Sequence, residues 1–433
     1  MGINRKGVHG AKRYAYKMEK IELFKSRKFK NNAISFIIPV DLDEDVTGYN
    51  VLAQVLKRGT ETFRTSSEIT RYLQDMYGSF FDIAISKKGQ KLFLIFYCSF
   101  LDNRFTLYGE DLWEKAVFLI KDVLYRPLLD GGKFPADIVS QEILNHRLYI
   151  ESQYDDKGHY SVIKVVEQGL HDSYRKPEFG SIAELDLLDV DALMALWEDL
   201  KNKPVYIYAS GNIEDEERTR TLLGTIVERS GDVEAVPYVH QAPDINFAIP
   251  KVMEPMKINQ GKMSLLYSTG TSVFEGDYFA LVVMNSIYGG GAHSKLFNEV
   301  REKHSLCYYV YSTFDKFKGI MTISSGVDFK NFDRARELIE LEMEKMKTGD
   351  FTDEEITSSK TKLISSLRSM ADSMFNTMDY VSSLRVFGIS YGIEDVIRGI
   401  EDVTRDRIME SAKNLRFITS HYLTKDEEVE KDA

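Results

Sequence analysis

The chain carries one structural pattern twice. From Tyr49 to Ser99 an amphipathic helix stops at Gly59, a second helix follows, and two strands bracket a turn at Gly89. From Ala280 to Val327 the order returns as helix, Gly289-Gly290-Gly291, helix, strand, turn at Gly319, strand. The match extends outward. Ala33–Pro39 has its counterpart in Met263–Ser268, Leu112–Leu124 in Phe332–Lys347, and Asp189–Leu200 in Thr404–Leu415. A steady period above ~200 residues is too long for a solenoid, whose repeats run to about 20–50 residues. It predicts two similar domains of mixed α and β structure in tandem.

Local signals fill in the elements. Thr65-Ser66-Ser67-Glu68 and Thr352-Asp353-Glu354-Glu355 are capping boxes, each opening a helix. Phe80–Ser86 and Lys91–Ser99 read as alternating strands of a hairpin turning at Lys87-Lys88-Gly89. Val205–Ser210 reads as the closing strand of the first sheet. Pro237, Pro243, Pro250 and Pro255 crowd a stretch with little periodicity, which predicts a linker over 236–256. The expected organisation is an N-terminal domain over 1–235, a C-terminal domain over 257–425 and a charged tail over 426–433. The expected fold class is α+β, each domain a mainly antiparallel sheet with helices packed on one face.

A formal net charge of −11 argues against a general nucleic-acid or anionic-membrane binder, since either wants a basic surface. The two cysteines, Cys98 and Cys307, lie in apolar strand contexts and read as core residues of a reducing compartment. The basic segment Met1–Tyr14 has no apolar core of the secretory kind, and no apolar run approaches a bilayer span. The expected location is the cytoplasm.

The run Gly48-Tyr49-Asn50-Val51-Leu52-Ala53-Gln54-Val55-Leu56-Lys57-Arg58-Gly59-Thr60 resembles the zinc helix of the pitrilysin/insulinase (M16) peptidase family. That family carries H-x-x-E-H there, followed by a Lys/Arg-Gly-Thr stop. The order and spacing of the Gly-Thr stop, the Tyr77-Gly78 helix end, the hairpin, the linker and the glycine-rich segment carry the resemblance over nearly the whole chain. It implies two tandem LuxS/MPP-like domains. It also places Asn50 and Gln54 at the two histidine positions and Ala53 at the general-base glutamate. The third ligand falls at Tyr149, with Glu151 two residues away. Zinc takes imidazole, thiolate or carboxylate, and hydrolysis needs a base beside the metal-bound water. Two amides, a methyl group and a phenol supply neither. The eight histidines contain no pair at helical i, i+4 spacing.

The segment from Gly289 through Arg301 to Tyr308 is similar to the family's C-terminal signature, a glycine-rich turn and a helix ending in Arg-Glu-Lys, with a tyrosine seven residues after the arginine. In split members, the resemblance implies, this Arg/Tyr pair reaches into a zinc-bearing partner's site. A guanidinium and a phenol suit the charge that develops on a tetrahedral oxygen. Gly289, Gly290 and Gly291 suit a turn that contacts peptide backbone. The plain readings stand beside these. The glycines suit a tight connection, Arg301 an ion pair with Glu299 or Glu302, and Tyr308 a half-buried strand position. The run Ile150–Lys157 is similar to a bacterial subgroup of inactive members named for association with aminopentanol modification of elongation factor P.

The expected protein is therefore a non-catalytic subunit without a cofactor of its own. It would pair with a homologue that keeps H-x-x-E-H and holds the zinc, and together they would enclose peptide or unfolded polypeptide. A self-standing peptide-binding scaffold, or a metallopeptidase with an unconventional site, are the competing readings.

Overall fold

The computed structural model describes residues 21–228 and 238–426. The expectations for the basic N-terminal segment, the head of the linker at 236–237 and the tail from 427 onward lie outside the described residues.

Two five-stranded sheets form the frame. The first contains β1 (Ile21–Lys25), β2 (Asn31–Asp41), β3 (Phe80–Lys88), β4 (Lys91–Leu101) and β5 (Tyr206–Gly211), in the order β1-β5-β2-β4-β3. The second contains β6 (Lys251–Met256), β7 (Gly261–Ser268), β8 (Cys307–Asp315), β9 (Ile320–Val327) and β10 (Arg416–Lys425), in the order β6-β10-β7-β9-β8. Each sheet has a single parallel pair, β1 with β5 and β6 with β10, and is otherwise antiparallel. The two topologies match strand for strand, so the repeat in the sequence is a repeat of whole α+β domains.

The helices repeat in the same order. The first half has α1 (Val46–Leu56), α2 (Ser66–Asp75), α3 (Leu112–Tyr125), α4 (Ala136–Asp155), α5 (Lys157–Gly169) and α6 (Val190–Leu200). The second half answers with α7 (Tyr278–Tyr288), a π-helix at Phe297–Lys303, α8 (Phe332–Thr348), α9 (Asp353–Met370), α10 (Met374–Val386) and α11 (Arg405–Lys413). Both expected capping boxes close, with Thr65 and Thr352 accepting from the N–H three residues on and Glu68 and Glu355 reaching back. Thr352→Ala should cost about 1 kcal/mol, read as faster amide exchange in the first turn of α9.

The halves exchange one helix each. The sheet face that its own helices leave open in the second half is covered by α5 from the first. Leu266, Ile320 and Ile418 thereby join the first half's core. Reciprocally, α10 lies on β2 and β5, where Met374, Met378, Leu384 and Phe387 pack among Ala33, Ile37, Phe93 and Tyr208. Covering both faces removes the alternation expected of a half-exposed strand. In β2 every residue from Asn32 to Val40 is buried, and β4 is buried without a break from Leu92 to Cys98, not alternating as the sequence suggested.

Charged pairs fasten the exchange. Lys88, just before the turn glycine of the first hairpin, pairs with Asp379 of α10 at 3.1 Å. Lys318, just before the turn glycine of the second, pairs with Asp172 beyond α5 at 2.6 Å. Arg385 of α10 reaches Glu22 of β1 at 3.1 Å.

One boundary differs from the sequence reading. Lys251–Met256, inside the stretch read as linker, is β6 and pairs in parallel with β10, so the second sheet begins before residue 257. Val205–Ser210, expected to close the first sheet, is its last strand in chain order, β5, and lies between β1 and β2.

Candidate functional site

Helix α1 starts at Asp45, whose carboxylate accepts from the Gly48 N–H at 2.6 Å. All of its residues are buried except Gln54, and it packs along α4. Asn50, 8% exposed, donates through Nδ2 to the carbonyls of Val46 (2.9 Å) and Glu178 (2.8 Å). That amide is a structural crosslink between α1 and the chain after α5, with both donor hydrogens used. Ala53 is fully buried in the core. Tyr149 stands half-exposed on α4 with its ring 5.8 Å from that of His146, and burial with the nearby Glu178 charge pushes its phenol up, keeping it protonated. Glu151 is exposed.

The residues at the zinc-helix position therefore do not suit a zinc ion. An engaged amide, a second amide, a methyl group and a neutral phenol offer no anionic or imidazole donor set. Among the described residues no three His, Cys, Asp or Glu side chains are grouped to hold a metal.

Two further α4 residues complete this region. Glu142, buried, pairs with Arg58 at 2.5 Å and ties the end of α1 to α4. His146 Nε2 lies 2.9 Å from the Phe179 carbonyl and donates to it. Burial holds His146 below the ordinary imidazole value of 6.5, the Phe179 bond opposing. The folded chain thus binds fewer protons there than the unfolded one. Its contribution to stability is present above 6.5 and is lost as pH falls below it. Unfolding midpoints measured from pH 7 to pH 5 should fall in the native chain and fall less in His146→Gln.

In the second half, Gly289 caps α7 and its carbonyl accepts from the Ser312 N–H of β8 at 3.0 Å. A Cβ at Gly289 would lie 2.3 Å from Ser312 Oγ, so helix and strand meet only because the residue is glycine. Gly291 has φ +145°. Beyond it, the helix expected to end in Arg-Glu-Lys is a π-helix, a wide turn often found at functional sites.

Arg301, on that π-helix, lays its guanidinium over the Phe297 ring at 4.6 Å and pairs with Glu302 at 3.0 Å. Its side chain is 40% exposed, and an exposed pair of this kind holds the guanidinium only weakly. Ser305, at φ +51°, turns the chain into β8. There the pairing with β9 slips between Cys307 and Tyr309, making Tyr308 the extra residue of a bulge. Bulges re-aim side chains, and Tyr308 is 65% exposed, not half-buried. The structure thus sets Arg301 and Tyr308 on either side of one turn. Asn50, Ala53, Gln54 and Tyr149 form a separate group on α1 and α4. Cys98 and Cys307 are both buried free thiols.

Among the described residues the chain thus combines two similar α+β domains, a buried helix without zinc-ligand side chains, and a glycine-rich turn followed by a partly exposed Arg301 and an exposed Tyr308. Residues 200–363 match the family model described as the peptidase M16 inactive domain. A Bacillus subtilis (strain 168) protein described as a probable inactive metalloprotease, YmfF, is 27% identical over 417 residues, covering 93% of this chain and 94% of that one. A conserved protein from Enterococcus faecalis V583 has a crystal structure with a TM-score of 0.85 and 25% identity, covering 94% of this chain and 96% of that one. The periplasmic protease PqqL of Escherichia coli superposes with a TM-score of 0.69 at 13% identity, covering 92% of this chain but 43% of that longer one. The matched family model and the full-length relative make the chain similar to proteins of the M16 peptidase family that are described as inactive. Among the described residues no helix is long and apolar enough to cross a membrane.

Proposed function

We propose that this chain is the non-catalytic half of a two-part peptidase. It pairs with a homologue bearing H-x-x-E-H, which brings zinc and the general base, and the two enclose peptide or unfolded polypeptide in the cytoplasm. This chain supplies wall, the glycine-rich turn, and Arg301 with Tyr308 as donors to the partner's reacting oxygen. The observation that carries the reading is the contrast between the two halves. The amide of Asn50 is consumed by two carbonyls, whereas Arg301 and Tyr308 remain exposed at a π-helix and a bulge. The superposition on 43% of a longer protease shows that this fold also occurs as part of a larger chain.

The test is co-purification with an H-x-x-E-H homologue, followed by assays of each chain alone and of the pair on an unfolded polypeptide. The pair should cleave and this chain alone should not. A chain that stays alone or self-associates in the presence of that homologue, yet binds peptide, would instead favour a scaffold.

A further inference from the structure

We propose that the glycine-rich turn captures a carboxylate of the peptide, held by the ammonium of Lys362 and the free N–H groups of the turn. The inference rests on the reading above, in which that turn contacts peptide, and adds the chemistry it recognises.

Lys362 comes from α9, far from the turn in sequence. Its Nζ lies 3.4 Å from the Gly290 carbonyl and 3.1 Å from His293 Nδ1. A Cβ at Gly291 would sit 2.2 Å from that Nζ, so the absence of a side chain there is what lets the ammonium lie over the turn. The ammonium donates to Nδ1, which leaves the hydrogen of His293 on Nε2, directed to Ser286 Oγ at 3.3 Å. Burial, with the Lys362 charge, holds His293 below the ordinary imidazole value, so it stays neutral. The full positive charge at the turn is Lys362.

That charge lacks the counterpart its neighbours have. Lys295 pairs with Glu355, Lys303 with Glu299 and Arg301 with Glu302. Among the described residues no carboxylate lies within ion-pairing distance of Lys362, which is exposed; its partners are a carbonyl and a neutral imidazole. In the same turn the N–H groups of Gly290, Ala292 and His293 have no backbone acceptor among the described residues, while the Gly291 N–H, trans to the Gly290 carbonyl that faces the ammonium, points away from it. An unneutralised ammonium next to several free backbone donors is the arrangement that recognises a carboxylate. A peptide offers that group at its C-terminus or on an Asp or Glu side chain.

Three fluorescein-labelled nonapeptides of otherwise uncharged side chains separate the sources. One ends in a free carboxylate, one in an amide, and one in an amide with a single internal glutamate. Binding to the full chain is read by fluorescence anisotropy. The free acid should bind about tenfold more tightly than the plain amide, the scale of one charge-assisted contact. Lys362→Ala should abolish that difference and Lys362→Arg should keep most of it, with thermal midpoints near native for both. If the glutamate peptide matches the free acid, a side-chain carboxylate suffices; if it matches the plain amide, the chain terminus is read. Equal binding of acid and plain amide, or a difference that survives Lys362→Ala, overturns the inference and leaves peptide contact standing. Failure of all three peptides to bind overturns the peptide reading itself, and this inference with it.

Discussion

Arg301→Ala should lower the turnover of the reconstituted pair by about 10²–10³, the usual loss when one preorganised donor to a developing oxyanion is removed. The physical reason lies in where the guanidinium sits. It is stacked on Phe297 and bound to a solvent-exposed glutamate, so its removal leaves no buried charge behind and the fold should hardly notice. A large kinetic effect with an unchanged unfolding midpoint is therefore the signature expected. Tyr308→Phe keeps the ring and loses only the hydroxyl, and a drop of about 10² is expected from it. Steady-state kinetics should place both losses in kcat more than in KM, since the donors act on charge that forms only in the transition state. Full activity in both variants would remove these residues from the proposed chemistry.

Asp172→Ala should destabilise the isolated chain by about 3–5 kcal/mol, the range seen when one partner of a buried ion pair is deleted. Its partner Lys318 is 1% exposed and 2.6 Å away. The same carboxylate accepts from the N–H groups of Asp244 (2.9 Å) and Tyr174 (3.1 Å). One side chain thus joins the segment after α5, the connection between the domains and the β8–β9 turn. Its loss strands an ammonium in the interior and frees two backbone donors at once. Urea unfolding followed by circular dichroism measures the effect. The double variant Asp172→Leu with Lys318→Met should recover a large part of it, because an apolar pair leaves no uncompensated charge. A cost under about 1 kcal/mol for Asp172→Ala would mean that the helix exchange does not depend on this junction.

What the sequence made legible was whatever is local or repeated. The capping boxes at Thr65 and Thr352 are read within four residues, and the doubled order of helices, glycine stops and hairpins foretold two equal sheets. The exchanged helices were not legible. The buried side of α5 is Gly158, Ser161, Val165 and Gly169, too small and too polar to read as a core face. In α10 the buried residues include Ser382 and Ser383 beside Met374, Met378 and Leu384, so no single apolar stripe shows. The strand β6 was hidden because Lys251–Met256 alternates exposed and half-buried positions and contains Pro255, which an edge strand tolerates.

At the site, the loss of zinc chemistry could be argued from residue types at Asn50, Ala53 and Gln54 once the family pattern was recognised. What Asn50 does instead could not be, because one of its acceptors, the Glu178 carbonyl, is 128 residues away. The approach of Lys362 to Gly290 spans 72 residues and leaves no trace in local spacing. Nor does any sequence signal give the bulge that exposes Tyr308, which depends on the register between β8 and β9.

The metal content of the purified full-length chain, after incubation with excess zinc and desalting, tests the absent coordination sphere most directly. Inductively coupled plasma mass spectrometry should find far less than one zinc per chain, with no change in Asn50→Ala or Gln54→Ala. One zinc per chain that is lost in either variant would contradict the account, because amide side chains would then be holding a metal that the chemistry of this helix is argued to refuse.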